Sequence, residues 1–185
     1  MAIGPLTNIA LAARMDPNFI DRLAHLYVGS GHIYSETFPK PEFNAAMDPE
    51  AYHIVADTAE LDKVTFVPFS QVQLTLNASL DWRNNVLGKI DTPLIRALNG
   101  FERVALPKMN SWKPLDPAVA AIALNNNLVD RFINVKNDII LEGEKRGINT
   151  NDFSSVEPNG RLVYEANLEN YKKFLLDLYS AELKH

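Results

Sequence analysis

"PKPEFNAAMDPEA", residues 39–51, carries the chain from a proline-containing loop into a helix. Asp48-Pro49 marks the helix start, because Asp is a favoured N-cap residue and Pro fits the first helical position. Glu50 then suits the positive end of the helix dipole. We therefore predict a helix from Asp48, with residues 32–47 before it as a loop, and interpret Asp48 as a cap rather than a ligand.

Two polar residues of the same stretch lie outside any helix that the pattern predicts. Glu42 and Asn44 stand on either side of Phe43, and in an extended segment this alternation would point both polar side chains to the same side. Helix capping does not explain them there. The residues alone leave two interpretations, a polar pair aimed at a ligand or a solvated polar loop, and composition favours the loop.

Outward from this stretch, short apolar runs alternate with patterns of helical spacing. The strand candidates are residues 23–28, 64–69, 132–135, 139–141 and 161–164. The helix candidates are residues 6–13, 48–55, 93–104, 116–124 and 168–183. Alternation of this kind predicts an α/β domain with an open, mostly parallel, Rossmann-like sheet flanked by helices. The length suits a single domain over residues 1–185.

Loops at the carboxyl ends of strands are the natural place for a ligand in such a sheet. Two loops that carry acids directly before a predicted helix meet this condition, residues 31–48 and 107–116. Asp116-Pro117 repeats the pairing of acid and proline found at Asp48, and on local pattern alone we interpret Asp116 as a second cap. Carboxylates and amides in these loops suit hard cations such as calcium, or sugar hydroxyls.

Composition and charge exclude several classes of function. The formal net charge of -5 and the pI near 5.4 argue against a general nucleic-acid binder. No run approaches the ~20 apolar residues needed to cross a bilayer. The chain has no cysteine, and its four histidines do not form a metal-ligand spacing, so we interpret each histidine as structural or surface. The compartment is left open by these features, with the cytoplasm favoured.

Four segments, in order along the chain, resemble the inosine/uridine-preferring nucleoside hydrolase family. They are IGPLTNIALAARMDP (3–17), PEFNAAMDPEA (41–51), LDPAVAAIAL (115–124) and LEGEKRG (141–147). The first two are the more specific, and the fourth is similar to the family's Gly-Glu-x-x-Arg-Gly turn, although one residue short of it. The resemblance implies an α/β fold and calcium-assisted hydrolysis of the N-glycosidic bond of purine or pyrimidine ribonucleosides.

Position by position, the resemblance implies roles for individual residues. Glu42 and Asn44 match the family's ribose-hydroxyl contacts. Asp116 matches an aspartate that binds calcium and also touches the ribose, and Ile3 matches the position whose main-chain carbonyl binds calcium. Thr7 matches the family's motif and is expected to organise its loop. The implied cofactor is therefore calcium, and the implied partner is the ribose moiety of a nucleoside.

The chain departs from the family's pattern at several positions. Val28 and Glu36, which we include among the expected substrate contacts, stand where a ribose-contacting methionine and an asparagine near the 5′-hydroxyl are common. Leu115 stands where many purine-preferring members have a histidine that assists base departure. The family's N-terminal aspartate cluster, with its general base, has no counterpart. We therefore expect a C-terminal portion of a nucleoside hydrolase-like protein, with the first strands of the sheet missing.

Two hypotheses of different classes follow from these matches and departures. Either the full-length form is a nucleoside N-ribohydrolase, or the chain is a degenerate homologue that binds a nucleoside without turnover or has a structural role. Loss of the general base predicts no turnover by the isolated chain, since positioned acid–base catalysis is worth about 10²–10⁴-fold. A sheet without its first strands would expose an edge, which we expect either another chain, for example in a homo-oligomer, or a missing segment to cover.

Overall fold

The computed structural model describes residues 1–181, and over this range the chain forms a mixed sheet flanked by helices. The strands are β1 (Leu26–Val28), β2 (Val64–Phe66), β3 (Val129–Ile139), β4 (Asn149–Asp152) and β5 (Gly160–Ala166). The helices are α1 (Thr7–Met15), α2 (Phe19–Arg22), α3 (Phe43–Met47), α4 (Pro49–Asp57), α5 (Phe69–Thr75), α6 (Leu80–Asn85), α7 (Pro93–Glu102), α8 (Leu115–Leu124) and α9 (Leu168–Ser180). Short 3₁₀ turns lie at Leu87–Lys89, Leu106–Lys108 and Asn126–Leu128.

The strands are arranged in the order β1-β2-β5-β3-β4. β1, β2 and β5 run parallel, while β3 is antiparallel to β5 and β4 is antiparallel to β3. Ala2 adds a parallel bridge to Val28, so the first residues lie beside β1. The predicted α/β class, with an open, mostly parallel sheet flanked by helices, is confirmed. The antiparallel arm is an addition that the sequence did not predict.

Alternation along the strands sends side chains into two cores, one on each face of the sheet. Val28 and Phe66 point to the face covered by α1 and α4, whereas Tyr27 and Val67 point to the face covered by α5, α8 and α9. All residues of β1 and β2 are buried as a result. Burial from both sides is what helices on the two faces of parallel strands produce.

The first predicted strand starts later than expected, whereas the terminal helix starts at the predicted residue. The strand predicted from residue 23 begins only at Leu26, because Phe19–Arg22 form a short helix just before it. The terminal helix predicted for residues 168–183 begins where expected, and its predicted end lies outside the described residues.

β3 is one strand of 11 residues where the sequence predicted two short strands, 132–135 and 139–141. The two short strands were predicted separately because polar residues lie between the two apolar runs. Asn137 is buried because the Tyr52 hydroxyl of α4 donates to its Oδ1 (2.7 Å) and its own Nδ2 donates to Asn151 of β4 (2.8 Å). The far half of β3 therefore pairs with β4 as a hairpin and contacts α4 through Tyr52.

A buried ion pair ties α6 and α7 to the loop that precedes α8. Arg83 is fully buried; its guanidinium lies 2.6 Å from Oε2 of Glu102 and donates to Oδ1 of Asn99 at 2.9 Å. The second oxygen of Glu102 accepts the indole N–H of Trp112 at 2.9 Å. Trp112 also exchanges two backbone hydrogen bonds with Ala78, so the loop is fixed shortly before α8 begins.

We expect Arg83→Leu to lower the free energy of unfolding by about 3–5 kcal/mol, because it leaves the Glu102 carboxylate without its cation. Arg96→Leu is the matched control, since Arg96 pairs with Asp91 at the exposed surface, where such pairs are worth about 0–1 kcal/mol. Urea unfolding followed by circular dichroism measures both. Equal losses in the two variants would contradict the role of Arg83 as a buried anchor.

Candidate active site

The glycine turn, residues 29–33, follows β1 at the carboxyl edge of the parallel strands. A Cβ at Gly29 would lie 2.7 Å from Val119 Cγ2, and one at Gly31, where φ is +88°, would lie 2.5 Å from Asn149 Oδ1. Real side chains do not tolerate contacts this short, and a positive φ favours glycine. α8 and β4 approach the end of β1 this closely because both side chains are absent.

Several elements hold the main chain of the glycine turn at once. Its hydrogen bonds include Gly29 N–H to Ala2 O (2.8 Å), Phe69 N–H to Gly31 O (2.8 Å), His32 N–H to Asn149 Oδ1 (3.1 Å) and Ile33 N–H to Ser70 Oγ (2.9 Å). The partners come from the first residues of the chain, from α5 and from β4. The turn is therefore preorganised by parts of the chain that are far apart in sequence.

Glu42 binds the same turn and begins α3 at the same time. Its side chain is only 4% exposed. Oε2 accepts from Gly31 N–H (2.9 Å) and Ala45 N–H (3.1 Å), and Oε1 accepts from Asn44 N–H (3.0 Å). Glu42 is therefore the N-cap of α3 and a bond from that helix to the end of β1.

The loop predicted for residues 32–47 is interrupted by α3, and the extended alternation predicted for its two polar residues is wrong. The helix was missed because Glu is not among the favoured N-cap residues and because five residues before the next cap leave no periodic pattern. Asn44 lies in the first turn of α3, and its Nδ2 donates to Gly29 O at 3.0 Å. The structure brings Glu42 and Asn44 together at the glycine turn through a helix cap.

Asp48 is the N-cap of α4, as predicted. Its Oδ1 accepts from Ala51 N–H at 3.0 Å, and its Oδ2 accepts from the Thr7 hydroxyl at the start of α1. Thr7 thereby joins the first loop of the chain to the start of α4, which is the organising role that was expected of it.

Asp116 lies in the first turn of α8, which begins one residue earlier at Leu115. The prediction that Asp116 caps this helix is wrong, because the N-cap position belongs to Pro114. Leu115 Cγ lies 3.5 Å from the Cβ position of Gly29, so the first turn of α8 faces the glycine turn. Burial raises the pKa of Asp116, and the negative charge of Glu42 raises it further. The two carboxylates are therefore close enough to interact electrostatically.

The remaining predicted site residues are spread more widely. Ile3 follows the bridge residue Ala2 and lies at the same edge of the sheet as the glycine turn. Val28 is fully buried, and its side chain packs in the core beneath α1 and α4. Glu36 is exposed in the loop between the glycine turn and α3. Ribose contacts by Val28 and Glu36, and calcium binding by the Ile3 carbonyl, stay predictions.

His32 lies beside the site, although sequence reasoning treated every histidine as structural or surface. Its ring stacks on Phe69, with centroids 6.1 Å apart; burial lowers the pKa of His32, and the Glu42 charge opposes that shift. Phe69 in turn lines a cavity of about 300 Å³ that reaches Pro114, directly before α8. Other residues that line this cavity are Gln73, Glu102, Leu106, Met109 and Trp112. The sequence did contain a signal for the position of His32, because this histidine directly follows a glycine at the end of a predicted strand.

Among residues 1–181, no three acidic, histidine or cysteine side chains come together as a metal site. Asp116 and the carbonyl of Ile3 would supply two oxygens, whereas calcium takes about six to eight. The described residues therefore do not complete a calcium site, and we assign no catalytic step to a metal.

Fold and site together define an α/β protein with two carboxylates and an amide at the carboxyl edge of parallel strands, beside a cavity. The family model described as inosine-uridine preferring nucleoside hydrolase matches residues 1–173. The chain belongs to this family.

Individual relatives match over shorter stretches. The chain is 45% identical over 53 residues to the inosine-uridine preferring nucleoside hydrolase of Leishmania major. The aligned stretch covers 28% of this chain and 17% of that protein. It is 36% identical over 88 residues to probable uridine nucleosidase 1 of Oryza sativa subsp. japonica, and this aligned stretch covers 46% of this chain and 27% of that protein.

Solved structures of nucleoside hydrolases share the fold of this chain. An inosine-guanosine nucleoside hydrolase superposes with a TM-score of 0.80 at 20% identity, over 95% of this chain and 59% of that chain. A purine-preferring ribonucleoside hydrolase from Gardnerella vaginalis superposes with a TM-score of 0.78 at 20% identity, over 98% of this chain and 60% of that chain. The chain thus spans less than two thirds of their length. Within residues 1–181, no helix has the length and apolar character needed to cross a membrane.

We expect Gly31→Ala to lower the free energy of unfolding by at least about 1–2 kcal/mol, the cost of a left-handed backbone for a residue with a Cβ. The clash with Asn149 adds to this cost. Gly100→Ala is the matched control, because no atom lies within 4 Å of its Cβ position on α7, and it should stabilise by about 0.4–1 kcal/mol. Urea unfolding measures both, and a neutral Gly31→Ala would contradict the close approach of β4.

We expect Glu42→Gln to lower the pKa of Asp116, because the charge of Glu42 is one of the two causes that raise it. That pKa should stay above the ordinary aspartate value, since burial is the larger cause. An NMR titration of the Asp116 carboxyl carbon measures the change. Glu36→Gln is the control, as Glu36 is exposed in its loop. The same Asp116 pKa in both variants would mean that the two carboxylates do not interact.

Proposed function

We propose that the glycine turn and the side chains around it bind the ribose of a nucleoside. We further propose that the full-length form hydrolyses the N-glycosidic bond of purine or pyrimidine ribonucleosides. The observation that carries both proposals is the joint placement of Glu42, Asn44 and Asp116 around the turn. The names of the relatives support them, since these include nucleoside hydrolases and a probable uridine nucleosidase.

Glu42 has an acceptor position left for a ligand. Each carboxylate oxygen offers about two lone-pair sites, and those of Oε2 are shared by Gly31 N–H, Ala45 N–H and the Ser30 hydroxyl, the last at 3.3 Å. Oε1 accepts from Asn44 N–H, which leaves it one lone pair for a ribose hydroxyl. Because the other hydrogen bonds hold the carboxylate in place, this acceptor is oriented before the ligand arrives.

Asn44 and Asp116 complete the proposed clamp. One N–H of the Asn44 amide is used by Gly29 O, so its second N–H and its Oδ1 can serve a hydroxyl as donor and acceptor. Asp116 is only partly desolvated and belongs to an exposed residue, so its carboxylate can accept from a further hydroxyl. Neighbouring hydroxyls of a ribose both donate and accept, which suits this mixed set of groups.

The two carboxylates also suit the charge that develops in the reaction. When an N-glycosidic bond breaks, the sugar ring becomes oxocarbenium-like and positively charged. Glu42 and Asp116 would stabilise that charge more than the neutral ring of the bound nucleoside, which is the condition for catalysis. We assign no general base among residues 1–181.

Asp116 and the main-chain carbonyl of Ile3 are, in this proposal, two ligands of a calcium ion. When bound, calcium would lower the pKa of a water molecule. The other ligands are not among the described residues, so the chain alone is not expected to hold the ion tightly. The nucleobase would occupy the cavity of about 300 Å³ beside Phe69, whose size suits a small ligand.

The alternative is a nucleoside-binding homologue without turnover. It is favoured by Leu115, which offers no proton to a departing base where the family resemblance places a histidine. It is also favoured by Val28 and Glu36, which stand where the resemblance places a ribose-contacting methionine and an asparagine. Binding without hydrolysis separates this alternative from the enzyme.

We expect the 185-residue chain to bind inosine without hydrolysing it, with or without added calcium. Calorimetry should show inosine binding about tenfold more tightly than 2′,3′-dideoxyinosine, because the sugar hydroxyls contact Glu42 and Asn44. Asn44→Ala should reduce that difference. Asn84→Ala, at an exposed asparagine of α6, is the matched control and should leave it unchanged.

Equal affinity for the two nucleosides would overturn the proposed ribose site. Hydrolysis of inosine that Asp116→Ala abolishes would contradict the expected inactivity, and it would favour the enzyme over the alternative by placing the catalytic groups within this chain.

A further inference from the structure

The turn between β3 and β4 contains the LEGEKRG segment (141–147), which the proposed ribose site does not explain. Arg146 forms a two-point ion pair with Glu50 in the first turn of α4, with Nη1–Oε1 and Nη2–Oε2 both 2.7 Å. Gly147 has a φ of +86°, and a Cβ there would lie 3.3 Å from Cβ of Pro41. The turn is thus docked beside the starts of α3 and α4.

Docking of this turn brings Asn149 to the glycine turn. Asn149 is 4% exposed, and its Oδ1 accepts from His32 N–H at 3.1 Å. Its three amide atoms lie within 2.9 Å of the Cβ position of Gly31. Asn151, on the same strand, donates from Nδ2 to His32 O at 3.4 Å. β4 therefore holds His32 at both its N–H and its carbonyl.

Gly31 connects this contact to the proposed ligand site. Its N–H binds Oε2 of Glu42 at 2.9 Å, and only the φ and ψ angles of Gly31 separate that peptide plane from the plane that contains His32 N–H. We propose that Asn149 is a positioning residue. By holding His32, it keeps Gly31 N–H on Oε2 of Glu42, so that the second lone pair of Oε1 stays available beside the bond from Asn44 N–H. The use of Oε1 by a ribose rests on the proposed function, whereas the hydrogen bond from Gly31 does not.

The amide nitrogen of Asn149 is consistent with a role beyond stability, because its surroundings are unfavourable. Its Nδ2 is buried and has no hydrogen-bond partner within the described part of the chain. A buried N–H group without a partner is unfavourable, so this arrangement costs stability. Features that cost stability are expected where a position serves a site.

Hydrogen exchange measured by NMR tests the positioning role without a ligand. Gly31 N–H and Ala45 N–H bind the same oxygen of Glu42, so Ala45 is an internal reference. We expect Asn149→Ala to speed exchange at Gly31 about tenfold and to leave Ala45 unchanged. Asn149→Asp keeps an acceptor oxygen and should restore protection. Thr150→Ala, at the exposed neighbour on β4, should change neither amide.

Two results of the exchange measurement would overturn the positioning role. Equal acceleration at Gly31 and Ala45 would indicate a general loss of stability, and unchanged exchange at Gly31 would mean that Asn149 is not needed. If Asn149→Ala does not fold, Arg146→Ala loosens the docked turn at an exposed ion pair, with Glu144→Ala as its control. Arg146→Ala should then speed exchange selectively at Gly31, and the absence of that effect would also overturn the role.

Inosine binding by the same variants separates this inference from the proposed function. Wild-type binding that Asn149→Ala weakens about tenfold and Asn149→Asp recovers would support both. No wild-type binding, together with selective exchange at Gly31, would reject the ribose site and keep the positioning role. Wild-type binding and Gly31 exchange that are both unaffected by Asn149→Ala would reject the positioning role and keep the ribose site.

Discussion

The absence of side chains at Gly29 and Gly31 is the constraint on which the rest of the site depends. α8 contacts one position through Val119 and β4 contacts the other through Asn149, so a Cβ at either would force the side chain of Val119 or Asn149 to move. α8 carries Asp116, and β4 holds the turn itself. Because neither glycine has a side chain, the backbone of the turn can form hydrogen bonds with Glu42 and Asn44 directly, as expected where glycine allows close approach.

Helix capping and ligand binding are not alternatives at Glu42. The same carboxylate satisfies two amide groups at the start of α3 and one in the glycine turn, and it keeps a lone pair on Oε1. The hydrogen bonds that cap the helix are the ones that orient this free acceptor. Loss of Glu42 would therefore affect stability and affinity together, whereas loss of Asn149 is expected to affect mainly the position of Gly31. At Asp48, where all contacts are structural, the cap is the whole role.

The features that could be predicted from the sequence are those determined by neighbouring residues. Asp48 caps α4 as its local pattern indicates, and the alternation of strands and helices predicted the fold class. Asp116 has the same local pattern but lies inside its helix, because α8 starts from Pro114. The bond from His32 to Asn149 joins residues 117 positions apart, and no local pattern contains it. Sequence reasoning therefore found the side chains proposed to meet the ligand, and it missed the hairpin that holds the turn between them.

The carboxylates of Glu42 and Asp116 favour positive charge at this edge of the sheet. Bringing the second carboxylate beside the first is unfavourable, and the raised pKa of Asp116 reflects this together with burial. A neutral ribose relieves little of that repulsion, but a ring that becomes oxocarbenium-like relieves more, so the pair would bind a transition state better than a ground state. A metal ion would relieve it in the same way. Because this preference is independent of any group that activates water, a homologue without turnover would retain it as long as both carboxylates remain.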